Sequence, residues 1–203
     1  ADEPCRGISA GDRYVDVLNG ASTLGLTEWP DVDAAIDYAL EHGAQRVLLF
    51  AWSMGASIAL QLTEHSAHRD VVAGLVLIAP ATDWRTAIRH GAQKAHLPRF
   101  LGSAAIRALQ GRRSSRIVGL PSPIDFDALD FTRSARLSVP TLVVHSDGDQ
   151  EIPVELSRRF TAAHPGIVTL TEIPGAAHAW EYNVDAAAFN AAIVAWCQRQ
   201  LTR

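Results

Sequence analysis

The sequence predicts an α/β fold: a mostly parallel sheet with helices on both faces. Three observations predict it. Four short segments, Val47–Ala51, Gly74–Ala79, Thr141–Ser146 and Val168–Ile173, read as apolar strands bounded by proline or glycine. Helical patterns separate them, and strands alternating with helices imply parallel pairing with both faces of the sheet covered. The chain has 203 residues, 48% of them hydrophobic, which suits one domain with a sizeable core.

The first thirty residues carry the weakest pattern. Tyr14–Leu18 is expected as a short strand closed by the turn pair Asn19-Gly20, with a loop behind it. A helix is expected to begin at Pro30-Asp31, with Asp33 favourable to its dipole. Val32, Ala35, Ile36, Ala39 and Leu40 share one helical stripe, and Gly43 ends it. The strand Val47–Ala51 follows, then a helix from about Met54 to Glu64. Later helices are expected over Pro153–Ala163 and Val184–Leu201.

One stretch breaks this rhythm. About sixty residues lie between GLVLIA and TLVVHS, far more than a crossover needs. They hold helical patterns at Trp84–Lys94 and Leu97–Leu109. Residues 84–136 are therefore a candidate cap insertion in a single domain spanning 1–203, against the plainer reading of two ordinary helices with loops.

Composition excludes several classes. The formal net charge is −4 and the basic run Gly111–Arg116 has no interleaved aromatics, so no nucleic-acid partner is expected. Cys5 and Cys197 do not make a disulfide framework, and no Cys/His cluster has ligand spacing. His65 and His68 read as exposed helix-end residues, and no metal or other cofactor is expected. The acidic run Asp125–Asp130 lacks the glycine and terminal glutamate of a calcium loop. No GxGxxG or GxxxxGK is present. No apolar run nears the ~20 residues of a membrane span, and no signal peptide is visible. The compartment is open, with a soluble cytoplasmic chain favoured over an exported one.

Ser53 is the informative residue. Ala51-Trp52-Ser53-Met54-Gly55 matches [AG]-x-S-x-G, a pattern that chance yields in roughly one chain of this length in seven. Context adds weight, because a strand runs into it and a helix leaves it. The small residues Ala51 and Gly55 let the strand and helix backbones approach. The serine itself is expected in a strained conformation that exposes its hydroxyl.

In this motif, in TLVVHSDGDQEIP and in EIPGAAHAWEYN, the chain resembles the α/β-hydrolase superfamily, within it the small serine esterases and prolyl-oligopeptidase-like hydrolases. The resemblance covers Glu28 to the C-terminus. It implies an α/β-hydrolase fold and a triad in the order Ser53, Asp149, His178. Asp149 is selected as the aspartate four residues before Pro153; Asp147 is the alternative acid. The chemistry fits the residue types. A serine hydroxyl attacks poorly until a base removes its proton, and an acid orients and stabilises that base. One oxyanion donor is expected from the backbone N–H of Met54. Trp84, Phe100 and Trp180 are candidate substrate-binding walls.

The amino-terminal part departs from the family pattern. No His-Gly pair, the usual mark of the second oxyanion donor, precedes Ser53. A full set of strands and helices before the elbow takes about 60 residues, and only 52 precede Ser53. A shortened N-terminal part is expected, leaving an open sheet edge beside Val47–Ala51. Three outcomes are open: Tyr14–Leu18 fills it, a second copy of the chain pairs there in a homo-oligomer, or the chain is a fragment of a longer hydrolase. The expected activity is hydrolysis of a small-molecule carboxylic ester or related acyl bond through an acyl-enzyme on Ser53. The competing readings are a peptidase using the same triad and a catalytically impaired scaffold used for binding or assembly.

Overall fold

Side chains alternate between the faces of a strand, and the central strand of this protein uses both. The computed structural model describes residues 22–133 and 137–201. The expected strand Tyr14–Leu18, the turn Asn19-Gly20 and Cys5 lie outside the described residues. The described chain runs α1 (Trp29–Glu41), β1 (Val47–Trp52), α2 (Met54–His65), β2 (Val72–Ile78), α3 (Trp84–Lys94), α4 (Arg99–Gln110), α5 (Ser114–Ile117), β3 (Thr141–His145), α6 (Val154–Ala163), β4 (Val168–Glu172), α7 (Glu181–Val184) and α8 (Ala186–Leu201).

The four strands form a parallel sheet in the order β1-β2-β3-β4. Leu75 and Leu77 of β2, with Val143 of β3, pack on one face against Ile36, Leu60 and Phe160. Val76 and Ile78 point the other way, with Leu142 and Val144, against Phe189 and Trp196 of α8. Helices therefore cover both faces, as the uninterrupted apolar runs imply.

That cover is complete only for the inner strands. Every residue of β2 and β3 is buried, whereas β1 and β4 are edges. Among the described residues β1 pairs with β2 alone, and its Phe50 and Trp52 are 45% and 47% exposed. An edge strand keeps the composition of a buried one while lacking a neighbour on one side.

Local signals set most element ends. Gly43 follows α1 at φ +92°, and the N–H groups of Gly43 and Ala44 bond back to Leu40 O and Ala39 O. This is the paired closure that a left-handed residue allows at a helix end. The helix expected over Val184–Leu201 is α8, which starts two residues later at Ala186, behind the short α7. Asp185 separates them because its carboxylate accepts the Ala188 N–H at 2.9 Å, capping a new helix. Asp33, expected to serve the dipole of α1, accepts the Ser66 hydroxyl instead. His68 pairs with Asp37 at 2.7 Å and His65 stacks on Trp29, so both brace α1 against the end of α2.

The long interval after β2 divides in two. α3 and α4 pack on one another, followed by the short α5. Farther on, Ile124, Phe126, Leu129 and Phe131 are buried in the main core.

Candidate functional site

β1 ends at Trp52 and α2 begins at Met54, so one residue makes the whole turn. Ser53 does so at φ 51° and ψ −115°, a conformation that costs a non-glycine residue on the order of 1–3 kcal/mol. Its N–H donates to Ile78 O at 2.9 Å, which ties the turn to the end of β2. Ala51 is buried, and a Cβ placed on Gly55 would lie 3.8 Å from Ala51 Cβ, an ordinary contact. The turn thus has room for alanine at position 55 as well as at 51.

Asp149 sits in the loop after β3. Its Oδ1 accepts the N–H groups of Glu151 (2.8 Å) and Ile152 (3.0 Å), which fixes the carboxylate plane. The loop after β4 is stitched to this acid loop. Ser146 Oγ accepts the N–H groups of Gly148 and Ala176, and Asp147 Oδ1 accepts the Gly175 N–H at 3.0 Å. Asp147 therefore braces the two loops, while Asp149 Oδ2 lies 2.7 Å from His178 Nδ1. His178 Nε2 in turn lies 2.8 Å from Ser53 Oγ. The three residues, 125 positions apart at their widest, form one hydrogen-bonded chain.

Protonation follows from this geometry. An ionised carboxylate only accepts, so His178 Nδ1 carries the hydrogen and the neutral ring's Nε2 accepts the Ser53 hydroxyl proton. Burial is the largest single influence on Asp149 and pushes its pKa up. The combined hydrogen bonds from His145, His178, Ile152 and Glu151 outweigh it and hold the carboxyl well below its usual range. His178 moves above its ordinary value, chiefly because Asp149 accepts its hydrogen bond.

Sequence reasoning missed two neighbours. His145, the last residue of β3, is fully buried, with Nε2 3.0 Å from Asp149 Oδ2 and Nδ1 2.7 Å from Ser157 Oγ of α6. Asp149 Oδ2 thus meets two imidazoles. Glu181, which opens α7, is also fully buried, and neither carboxylate oxygen has a partner among the described residues. Burial raises its pKa. A polar residue closing the apolar run TLVVHS was the signal available for His145.

The other anticipated residues take varied places. The Met54 N–H opens α2, where the first backbone donors lack helical partners. Trp84 is half-buried and donates its indole N–H to Ser57 Oγ at 2.9 Å, and Ser57 donates to Ala81 O. It fastens α3 to α2, one turn beyond Ser53. Phe100 is 67% exposed on α4 and Trp180, two residues after His178, is 61% exposed. Among the described residues no group of His, Cys, Asp and Glu side chains is arranged to hold a metal ion. No helix among them is long and apolar enough to cross a membrane.

The chain resembles known proteins in both sequence and fold. Residues 6–192 match the alpha/beta hydrolase family. No curated protein matches the sequence. A Pyrococcus furiosus esterase, Pf2001, superposes with a TM-score of 0.63 at 16% identity, over 88% of this chain and 64% of its own. A thermophilic esterase from Thermogutta terrifontis gives a TM-score of 0.52 at 20% identity, over 89% of this chain and 74% of its own. A monoacylglycerol lipase from Paleococcus ferrophilus gives 0.51 at 18% identity, over 96% and 91%. The chain thus spans less than two thirds of the Pyrococcus esterase and nearly all of the lipase. Identities this low speak to the fold alone, and they agree with a family match that runs almost the length of the sequence: this chain belongs to the alpha/beta hydrolase family.

Proposed function

We propose that the protein is a serine hydrolase that cleaves a carboxylic ester, or a related acyl bond, through an acyl-enzyme on Ser53. The observation that carries this reading is the continuous chain Ser53–His178–Asp149, with contacts of 2.8 and 2.7 Å. Ser53 Oγ attacks the acyl carbon while His178 Nε2 takes its proton. The oxyanion forms against the Met54 N–H, at the positive end of α2. Collapse expels the leaving alkoxide, which takes the proton from His178. Water then attacks the acyl-enzyme, with His178 as base, and returns Ser53 with the carboxylic acid.

Trp84 supports the site from behind by fixing α3 to α2. Exposed Trp180 is the candidate wall for the acyl or leaving group, since it is the large apolar side chain nearest in sequence to His178. The helices α3 and α4 are the candidate cap.

The test is active-site labelling. Wild type should react covalently with a fluorophosphonate, and Ser53→Ala should not. Wild type that is folded and stays unlabelled overturns the reading in favour of a scaffold. Parallel assays with aryl esters and dipeptides then separate ester from amide cleavage.

A further inference from the structure

Charge is distributed very unevenly along this chain. Residues 84–124 contain eight Lys or Arg and no Asp or Glu, leaving 10 basic and 22 acidic residues elsewhere. A formal +8 is therefore confined to one insertion on a molecule whose remainder is −12. Two of the eight are used within the fold. Arg85 pairs with Asp127 at 2.8 Å and lies over the Phe126 ring, and Lys94 pairs with Glu151. Arg89, Arg99, Arg107, Arg112, Arg113 and Arg116 are exposed and make no ion pair among the described residues.

The same helices also expose apolar side chains. Phe100 is 67% exposed, Leu101 37%, Ile117 84% and Val118 54%. On α4 the inward side holds the buried Gly102 and Ile106. Phe100, Ala104 and Arg107, spaced i, i+4, i+7, lie on the opposite side. Beyond it, Ile117 and Val118 directly follow Arg116. The exposed aliphatic groups gain from leaving water, and an anionic partner gains further from the arginines beside them.

We propose that the α4–α5 face docks on an anionic lipid bilayer. Headgroup phosphates take the arginines, while Phe100, Ile117 and Val118 enter the boundary between headgroups and acyl chains. The aliphatic residues favour lipid over nucleic acid, which would satisfy the guanidiniums and leave Ile117 and Val118 in water. Net positive charge on the face opposes its pairing with the same face of a second copy. The acidic remainder of the molecule would be repelled from the same membrane, which fixes the orientation. His90, bonded to Gln150 O at 3.0 Å, and Lys94 fasten α3 to the loop that carries Asp149. Docking thus restrains the candidate site at the surface, yet it depends on no catalytic role for Ser53.

Sedimentation with phosphatidylcholine vesicles, with and without phosphatidylglycerol, tests the proposal. Wild type and Ser53→Ala should bind the mixed vesicles alike, ignore pure phosphatidylcholine, and release as salt is raised. Neutralising Arg112, Arg113 and Arg116 to Gln should weaken binding on the order of 100-fold, from the usual contribution of each charge at such a surface. Phe100→Ser with Ile117→Ser should weaken it at unchanged charge. These are surface changes, so unaltered thermal melts are expected, and the salt titration of wild type needs no variant. Absence of binding to mixed vesicles overturns the proposal. So does binding indifferent to the apolar pair and displaced by duplex DNA, which would mark a nucleic-acid surface. A patch that proves inaccessible because the protein self-associates through it also overturns it.

Discussion

His145 donates to the same oxygen of Asp149 that faces His178, at 3.0 Å against 2.7 Å. The two imidazoles approach one carboxylate from different elements, β3 and the loop after β4. Replacing His145 by Phe removes one donor from a buried carboxylate, which costs about 1–3 kcal/mol of stability. It also leaves more of the carboxylate's charge for His178. The expected result is a fall in kcat/KM of roughly 10-fold, by analogy with the loss of other positioning contacts. The acid limb of the pH–rate profile should move to higher pH. His145→Gln, which keeps an N–H donor, should recover part of both. An acid limb unmoved by His145→Phe would assign His145 a packing role only.

The pH dependence of the parent protein has two opposite signs. In the proposed mechanism the base is the neutral ring of His178, whose pKa lies above the ordinary value of about 6.5 because Asp149 accepts its hydrogen bond. kcat/KM should therefore rise with pH through a midpoint above 6.5. For stability the sign reverses. A raised folded pKa contributes stability that is full below about 6.5 and lost as pH rises through the folded value. Asp149 acts in a separate, acidic window. Its depressed pKa contributes stability that is full above about 3.9 and lost as pH falls below it. Ester hydrolysis and thermal melts over the same buffers check both. An activity midpoint below 6.5 would contradict the proposed role of His178.

Much of this was legible because parallel strands buried on both faces must be apolar along their length. β2 and β3 stand out in the sequence for that reason, and the elbow at Ser53 stands out because a strand runs into it and a helix runs out. The loops bearing Asp149 and His178 follow from strand ends. What stayed hidden depends on partners set by tertiary packing. His145 reads as the polar end of a strand until α6 brings Ser157 against it. The bond from the Trp84 indole to Ser57 has no signal in the residues around either one. The short α7 ahead of Asp185 stays unread because a single turn of helix shows no apolar period.

Gly148 keeps the acid and histidine loops together. A Cβ there would lie 2.8 Å from Ala176 O and 2.9 Å from the Gly175 carbonyl carbon, both backbone atoms. No side-chain rotation relieves such contacts, so the loops must part. Gly148→Ala should cost about 1–3 kcal/mol, the usual range for overpacking. It should lengthen the Asp149–His178 contact and lower kcat with little change in KM. Urea denaturation and steady-state kinetics measure the two effects. Full activity in Gly148→Ala would show that the loops can separate without disturbing that contact.

Glu181 poses a different problem, because it is buried with no hydrogen-bonding partner among the described residues for either oxygen. Burial favours the protonated form and raises the pKa, with the nearby negative charge of Asp149 adding to it; its own backbone N–H and the proximity of His145 and His178 act the other way. The sign follows from proton linkage. When a carboxyl's folded pKa exceeds its unfolded value, the native state binds more protons. Stability then falls as pH rises above about 4.3, and keeps falling until the folded group ionises. Glu181→Gln keeps the shape and removes the ionisation. The variant should match wild type near pH 4 and gain on it as pH rises until the folded group ionises, seen as a widening and then constant gap in Tm. Its acid limb of activity should move to lower pH, because removing a nearby carboxylate withdraws support for the protonated His178. A gap in Tm that stays constant with pH would mean that Glu181 does not change protonation on folding.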